Sequence, residues 1–226
     1  SRGVDKMRID ILTLFPDMIL PYFKESIIKR AIEDKKVEIF VHNFREYSLD
    51  KNKKVDDTPY GGGQGMVLMA QPIFDCVEAL RTAESLVILL TPDGEVYHQR
   101  CAESLRNEKH LILICGHYEG FDERIRSICD MEISIGDYVL TGGEVPALVL
   151  VDSIVRLIDG VIREESHLNE SFQNQLLDYP VYTKPADFRG MKVPEVLLSG
   201  DHKKIDEYRR EMMYNRTKER RPDLLK

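Results

Sequence analysis

No Cys-x-x-Cys pair occurs in this sequence, and its four cysteines, Cys76, Cys101, Cys115 and Cys129, stand 25, 14 and 14 residues apart. That spacing gives neither a redox motif nor a zinc knuckle, and most of the thiols have apolar neighbours. They read as buried free cysteines in a reducing cytosol. Long hydrophobic runs are missing too. The longest, Val145 to Val151, is far short of a membrane span, and Asp152 and Arg156 break its continuation. No signal peptide opens the chain, because Arg8-Ile9-Asp10 interrupts the first apolar stretch; a cytoplasmic protein is expected. Residues 1–6 precede the first strand-like pattern, at Met7, and read as an appended remnant. An excess of positive charge is also absent. The net charge of −7 argues against indiscriminate nucleic-acid binding. Lys203 to Lys226 departs from this, with nine Lys/Arg against five Asp/Glu, so that segment carries +4 and the remainder −11. No internal repeat or low-complexity tract is visible.

What is present is 226 residues of ordinary apolar content, 42%, enough for one large domain or a medium domain with a smaller one. "RIDILTLF" (8–15), "VEIFVHNF" (37–44), "LVILL" (86–90), "HLILIC" (110–115) and "MEISIG" (131–136) read as strands. Helices are expected from Pro16 to about Glu33, over 72–83, from the "TPDG" turn (91–94) through Leu105, within 116–129 and from about Pro146. A short strand is expected ahead of that last helix, and residues 45–66 read as a long loop. Strands alternating with helices predict an α/β fold with a mostly parallel sheet, covered on both faces. Ligands in such sheets gather at the carboxyl ends of the strands, where "TPDG", "GHYEGF" and "GDYVLTGG" leave in series. After Gly160 the pattern changes: 161–175 is polar and aperiodic, a linker, and 176–226 reads as a small helical domain with two Pro/Gly-rich turns and one helix from about His202.

Several stretches carry chemistry. "PYGGGQGM" (59–66) has four glycines in five residues; it reads either as a surface turn or as a loop whose backbone presses against a planar base. The corner Gly142-Gly143 precedes a helix as in phosphate-binding loops, but Glu144 follows, and no Lys-Ser/Thr. A carboxylate there would repel a phosphate. Arg156, on an otherwise apolar helix, pairs by spacing with Asp152 four residues earlier, or stabilises negative charge developing on a substrate oxygen. Glu164, Glu165 and Glu170 are linker acids, one of which could serve as a general base on a segment folding over the pocket. His117 and His167 lack metal-ligand spacing, and no metal site is expected. "RTKERRP" (216–222) is a basic helix end suited to phosphates.

Together "MRIDILTLFP", "DDTPYGGGQGM", "LTPDG", "CGHYEGFDERI", "SIGDYVLTGGEVPAL", "LLDYPVYTKP", "VPEVLLSGDHKKI" and "RTKERRPDLL" resemble the bacterial tRNA (guanine-N1)-methyltransferases of the SPOUT superfamily over nearly the whole chain. The resemblance implies a SPOUT domain over 1–160 whose C-terminal part is a trefoil knot, and a tRNA-binding helical domain over 176–226. It implies S-adenosylmethionine held bent by backbone, with no phosphate to clamp, against Leu90, Thr91, Pro92, Gly116, Tyr118, Glu119, Ser134, Ile135, Gly136, Asp137, Tyr138, Val139, Leu140, Gly142 and Gly143. Arg156 matches the family's catalytic arginine, and Glu170 stands where the family usually has aspartate. Pro59, Tyr60, Gly61 and Gly62 match the loop that holds the target guanine, position 37 beside the anticodon, while Arg216, Arg220 and Arg221 would meet tRNA phosphates. A homodimer with a shared site and Mg2+ dependence are implied by the same resemblance. Glu170 for Asp, and Gln175 for the glycine of the family's "GLL", are departures from its pattern. Two other readings are an RNA-binding SPOUT protein with weak or no catalysis and a nucleotide hydrolase using "GGGQG", the latter opposed by the missing Walker lysine.

Overall fold

The computed structural model describes residues 6–117, 119–163 and 175–226. The chain forms two compact units, residues 1–162 and 163–226. In the first, a five-stranded parallel sheet has the order β2-β1-β6-β5-β7. Its strands are β1 (Met7–Thr13), β2 (Val37–Asn43), β5 (Ser85–Val96), β6 (His110–Cys115) and β7 (Met131–Ser134). β3 (Asp56–Asp57) and β4 (Val67–Leu68) make a separate two-stranded ladder inside the expected long loop.

Side chains alternate across a strand, and where both faces are covered, as in β5 and β6, the strand carries a continuous apolar run. Ile9, Ile11, Ile88, Leu90, Leu111 and Leu113 share one core with Ile28 and Ala31 of α2 (Ser26–Glu33), Ala102 and Leu105 of α4 (Gln99–Leu105), and Ala147, Leu150, Val151 and Ile154 of α5 (Glu144–Val155). Leu12, Val87, Leu89, Ile112 and Ile114 share the other with Ile73, Cys76 and Val77 of α3 (Ala70–Leu80), Phe44 and Ile125.

Three local expectations need correction. The segment 16–33 is not one helix but α1 (Pro16–Ile19), a 3-10 turn over Leu20–Lys24, and α2. Pro21 supplies no amide hydrogen, Glu25 is extended and Ser26 has φ 56°, so the helical ladder cannot run through. The "TPDG" segment is a bulge rather than a strand end: the β5–β7 register jumps between Leu90 and Glu95, after which β5 resumes. No strand forms over 135–143. That segment is a succession of bends, and α5 starts at Glu144 rather than Pro146.

The second unit holds a hairpin of β8 (Asp187–Phe188) and β9 (Met191–Lys192), turned by Arg189 and Gly190 at φ 53° and 83°. Paired positive φ values of this kind match the twist of a two-residue hairpin. A one-turn helix, α6 (Glu195–Leu198), precedes α7 (His202–Arg220). Asp201 caps α7 by accepting a hydrogen bond from the Lys204 amide at 3.2 Å. The hairpin and α6 add to the one helix read from the sequence.

Candidate functional site

A cleft of about 320 Å³ opens at the carboxyl ends of β6 and β7, beside the bulge that follows Leu90 in β5. That is within the range of small-molecule sites, and it is where parallel sheets bind ligands. Its walls come from the three loops that the sequence put in series, through Leu90–Asp93, Gly116, His117, Gly120 and Phe121, and Ile133–Gly136 with Tyr138–Leu140, Gly142 and Gly143, together with Pro146 at the start of α5. The loops are tied to one another by backbone. His117 and Gly142 form an antiparallel bridge, and the Gly143 amide donates to the Gly116 carbonyl at 3.0 Å. Ser134 Oγ donates to the Gly136 carbonyl at 2.9 Å and so holds the bend after β7.

The Gly142-Gly143 corner has its glycines for a packing reason. A Cβ on Gly143 would lie 2.8 Å from Cys115 Cα, and one on Gly142 would lie 2.6 Å from Glu144 Oε2. Glu144 itself is buried and accepts a hydrogen bond from Thr13 Oγ1 at 3.0 Å. The acid that replaces a phosphate-binding lysine is thus structural: it joins the end of β1 to the N-terminus of α5, where a negative charge is favoured by the helix dipole.

The structure brings together Leu90, Thr91, Pro92, Gly116, Ser134, Ile135, Gly136, Tyr138, Val139, Leu140, Gly142 and Gly143 around this one cleft. Asp137 is exposed and outside the lining. Glu119 is also outside it; its carboxylate accepts from the Met66 amide at 2.8 Å and so braces the glycine-rich loop. The same junction is reinforced where Leu68 N donates to the Gly120 carbonyl at 3.1 Å and Asp122 N to the Leu68 carbonyl at 2.8 Å. Tyr118, Glu164, Glu165, His167 and Glu170 lie outside the described residues.

Gly61, Gly62, Gly63 and Gly65 all have positive φ, and around Gly61 and Gly62 an added Cβ would meet nothing. Conformation, not crowding, demands glycine in that loop. Pro59 is half-buried and Tyr60 beside it is fully exposed. Arg156 follows the last residue of α5 and is half-buried. Asp152 accepts a hydrogen bond from Tyr22, so α1's flank, rather than Arg156 alone, competes for that carboxylate. At 1.5 Å per residue, Arg156 stands about 20 Å along the helix from Gly143. In the second unit, Arg216 donates to the Asp178 carbonyl at 3.0 Å, Arg221 pairs with Asp223 at 2.7 Å, and Arg220 is exposed.

Sequence reasoning missed Asp93, His117, Gly120, Phe121, Arg126, Ile133 and Pro146 in the lining. Arg126 is the informative omission. Its guanidinium pairs with Asp93 at 2.7 Å, with Glu123 at 3.0 Å and with Glu132, and its centre lies 4.9 Å from the Phe121 ring centroid. Burial alone would lower its pKa, but Glu132, Asp93 and Glu123 hold it above the ordinary arginine value. No spacing rule links residue 126 to residue 93; only the crossing of the bulge over β7 does.

Burial pushes the Cys76 and Cys129 thiols up to about 12 and the Cys115 thiol well above its ordinary value. Burial thus disfavours the thiolate form that a cysteine nucleophile needs. Among the described residues no group of three or more His, Cys, Asp or Glu is placed to hold a metal ion, and no helix is long and apolar enough to cross a membrane.

The family model described as tRNA (Guanine-1)-methyltransferase TrmD matches residues 7–226. A tRNA (guanine-N(1)-)-methyltransferase of Macrococcus caseolyticus is 58% identical over 221 residues, covering 97% of this chain and 92% of that protein. Proteins of the same name from Clostridioides difficile and Malacoplasma penetrans are 56% and 55% identical, over 97% and 96% of this chain and 98% and 96% of their own length.

Proposed function

The chain belongs to the tRNA (guanine-1)-methyltransferase family, and on that premise we propose that it methylates N1 of guanine 37 of tRNA, beside the anticodon, in a homodimer whose sites are shared. Membership makes it an enzyme of the SPOUT architecture that takes its methyl group from S-adenosylmethionine. The observation that carries the reading is the cleft. Leu90, Ile133, Ile135, Leu140 and Pro146 give it apolar walls suited to an adenine ring, and much of the rest is glycine backbone. Its one arginine, Arg126, is already matched by three carboxylates, so no spare guanidinium stands there for a phosphate. That composition fits a nucleoside carrying a sulfonium and no phosphate. The tie between Gly143 and Gly116 agrees with a knotted passage of 135–143 beside 116–121.

S-adenosylmethionine supplies an electrophilic methyl group when bound. The chain must supply what guanine N1 lacks, because N1 carries a proton and is a poor nucleophile until that proton leaves. Glu170 accepts the proton, and Arg156 neutralises charge building on O6. The glycine-rich loop, braced by Glu119 against the 116–121 loop, holds the base. Arg220 and Arg221, with the basic α7, contact phosphates and help offset unstacking, which costs roughly a few kcal/mol. Arg216 acts through the Asp178 carbonyl and shapes that surface.

The distance of Arg156 from the cleft supports the shared site. With Gly143 and Arg156 at opposite ends of α5, an arginine reaching the cleft comes from a second subunit. Phe15 and Met18 at α1 and Val145 and Val149 on α5 are exposed apolar residues, and Tyr22, just after α1, donates to Asp152 of α5. Exposed apolar side chains on both elements suit a self-complementary interface. Magnesium dependence rests on the family resemblance alone.

The test is single-turnover methyl transfer to a tRNA transcript with G37 and to one with A37, using the wild type and Glu170→Gln. The G37 transcript should be methylated and the A37 transcript not. Glu170→Gln should slow transfer by about 10²–10⁴-fold, the span of a general base, with cofactor affinity unchanged. Binding of tRNA without transfer by the wild type would favour the RNA-binding reading, and an undiminished Glu170→Gln would move the base elsewhere.

A further inference from the structure

The Thr91–Gly94 bulge forms one wall of the cleft, yet the β5–β7 register skips it, jumping from Leu90 to Glu95. Side chains hold it instead. Asp93 Oδ1 accepts from the Thr91 hydroxyl at 2.5 Å, and Asp93 Oδ2 accepts from Arg126 at 2.7 Å. Behind it the packing is tight: a Cβ on Gly94 would lie 2.6 Å from the Glu132 carbonyl carbon. Arg126 occupies the same junction, donating to Glu132 of β7 as well as to Asp93, while its plane lies over Phe121 of the 116–121 loop.

We propose that Arg126 is a positioning residue for cofactor binding, a single guanidinium that locks the bulge, β7 and the 116–121 loop into the shape of the cleft. The inference rests on reading that cleft as the S-adenosylmethionine site. It follows from what the side chain connects. The planar fork reaches carboxylates on two segments and stacks on an aromatic ring of a third, a combination a lysine ammonium cannot make. Its side chain is only 23% exposed, whereas those of Asp93 and Glu123 are 63% and 81% exposed. Without Arg126, the acids Asp93, Glu123 and Glu132 would face one another with nothing between them. Their repulsion pushes the bulge outward, because between Leu90 and Glu95, which both pair with Ile133, it has no ladder partner of its own. Arg126 touches no reacting atom in this account, so the loss falls on cofactor binding and not on the methyl-transfer step.

The experiment compares wild type, Arg126→Met, Arg126→Lys and the cleft-blocking Leu140→Glu, all as full-length chains. Calorimetry with S-adenosylmethionine and with S-adenosylhomocysteine gives affinity, single-turnover transfer at saturating cofactor gives the chemical step, and thermal unfolding reports the fold. Arg126→Met should weaken both ligands by roughly tenfold or more, as expected for loss of hydrogen bonds to charged groups. The single-turnover rate should stay within about twofold. Arg126→Lys should fall between, keeping the charge but losing the fork. Asp93→Asn added to Arg126→Met should recover part of the lost affinity, since it removes one of the acids that Arg126 no longer neutralises. Unchanged cofactor affinity in a folded Arg126→Met overturns the inference, as does a slowed chemical step at saturation. If Arg126→Met does not fold, wild-type affinity in Arg126→Lys overturns it. Leu140→Glu separates the two readings: normal cofactor binding there removes the cleft from the cofactor, whereas lost binding there with a neutral Arg126→Met removes only Arg126.

Discussion

Asp10 is a carboxylate with no exposure to solvent, and the protein surrounds it with donors. Oδ1 accepts from His42 Nε2 at 2.6 Å, and Oδ2 accepts from His110 Nε2 at 2.6 Å and Arg8 Nε at 2.8 Å. Ser85 Oγ lies 2.6 Å from His110 Nδ1 and orients that ring. Burial alone would raise the Asp10 pKa, but His42, Arg8 and His110 outweigh it and hold the carboxyl far below the ordinary carboxylate range. A depressed carboxyl pKa contributes stability that is fully present above the unfolded value of about 3.9 and is lost as pH falls below it. Asp10→Asn should therefore cost about 3 kcal/mol at pH 7. The gap to wild type should begin to narrow as pH drops below about 4 and keep narrowing below pH 3, because the folded carboxyl stays ionised well under the ordinary range. Urea denaturation of both proteins at pH 7, 5 and 3.5 measures this; a gap independent of pH would mean the carboxylate is not held ionised.

At the scale of elements, the corner between β7 and α5 shows where sequence reasoning reached its limit. From spacing, the Gly142-Gly143 corner looks like a phosphate-binding turn, where glycine lets backbone approach a ligand. Instead a Cβ at 142 would meet the buried Glu144 carboxylate, and one at 143 would meet backbone, 2.9 Å from the Gly116 amide. A side chain can rotate away; backbone in a central strand cannot. Gly143→Ala should lower stability by about 1–3 kcal/mol, the usual cost of overpacking. It should also weaken cofactor binding, because the same contact sets the loop. Denaturation and cofactor titration on one sample check both, and a fully stable Gly143→Ala would show the corner to be looser than its contacts. The expected helix over 16–33 failed for a related reason: its apolar spacing is helical on either side of Glu25, but periodicity does not register the chain reversal that Ser26 imposes at φ 56°.

For the whole molecule, both hydrophobic cores lie within the first unit. A chain ending at residue 162 should accordingly fold and bind S-adenosylmethionine. With the exposed Val145, Val149, Phe15 and Met18 all retained, it should sediment as a dimer. It should not methylate tRNA, since Glu170 and the basic α7 are gone. The full chain's affinity for tRNA should fall with added salt, as phosphate contacts release counterions. Sedimentation and methylation assays on the two chains test this; a monomeric 1–162 unit would shift the interface to the second unit.

Five strands, their parallel arrangement and the location of the cleft were written in the sequence. Unbroken apolar runs such as "LVILL" and "HLILIC" mark strands buried on both faces, and helices between them force parallel crossovers. The loops were legible through glycine, whose backbone freedom is a property of the residue itself. The family was legible because "GHYEGFDER" and "SIGDYVLTGGE" match residue by residue, and the comparisons agree. What only the tertiary structure decided is which side chains meet. Arg126 and Asp93 are 33 residues apart, Glu144 and Thr13 are 131 apart, and Asp10 and His110 are 100 apart. No local pattern encodes such pairs, because they arise where strands distant in sequence become neighbours in the sheet. The separation of Arg156 from the cleft belongs with them. A sequence gives a residue's chemistry, but α5's length and direction fix how far that chemistry stands from the corner at its other end.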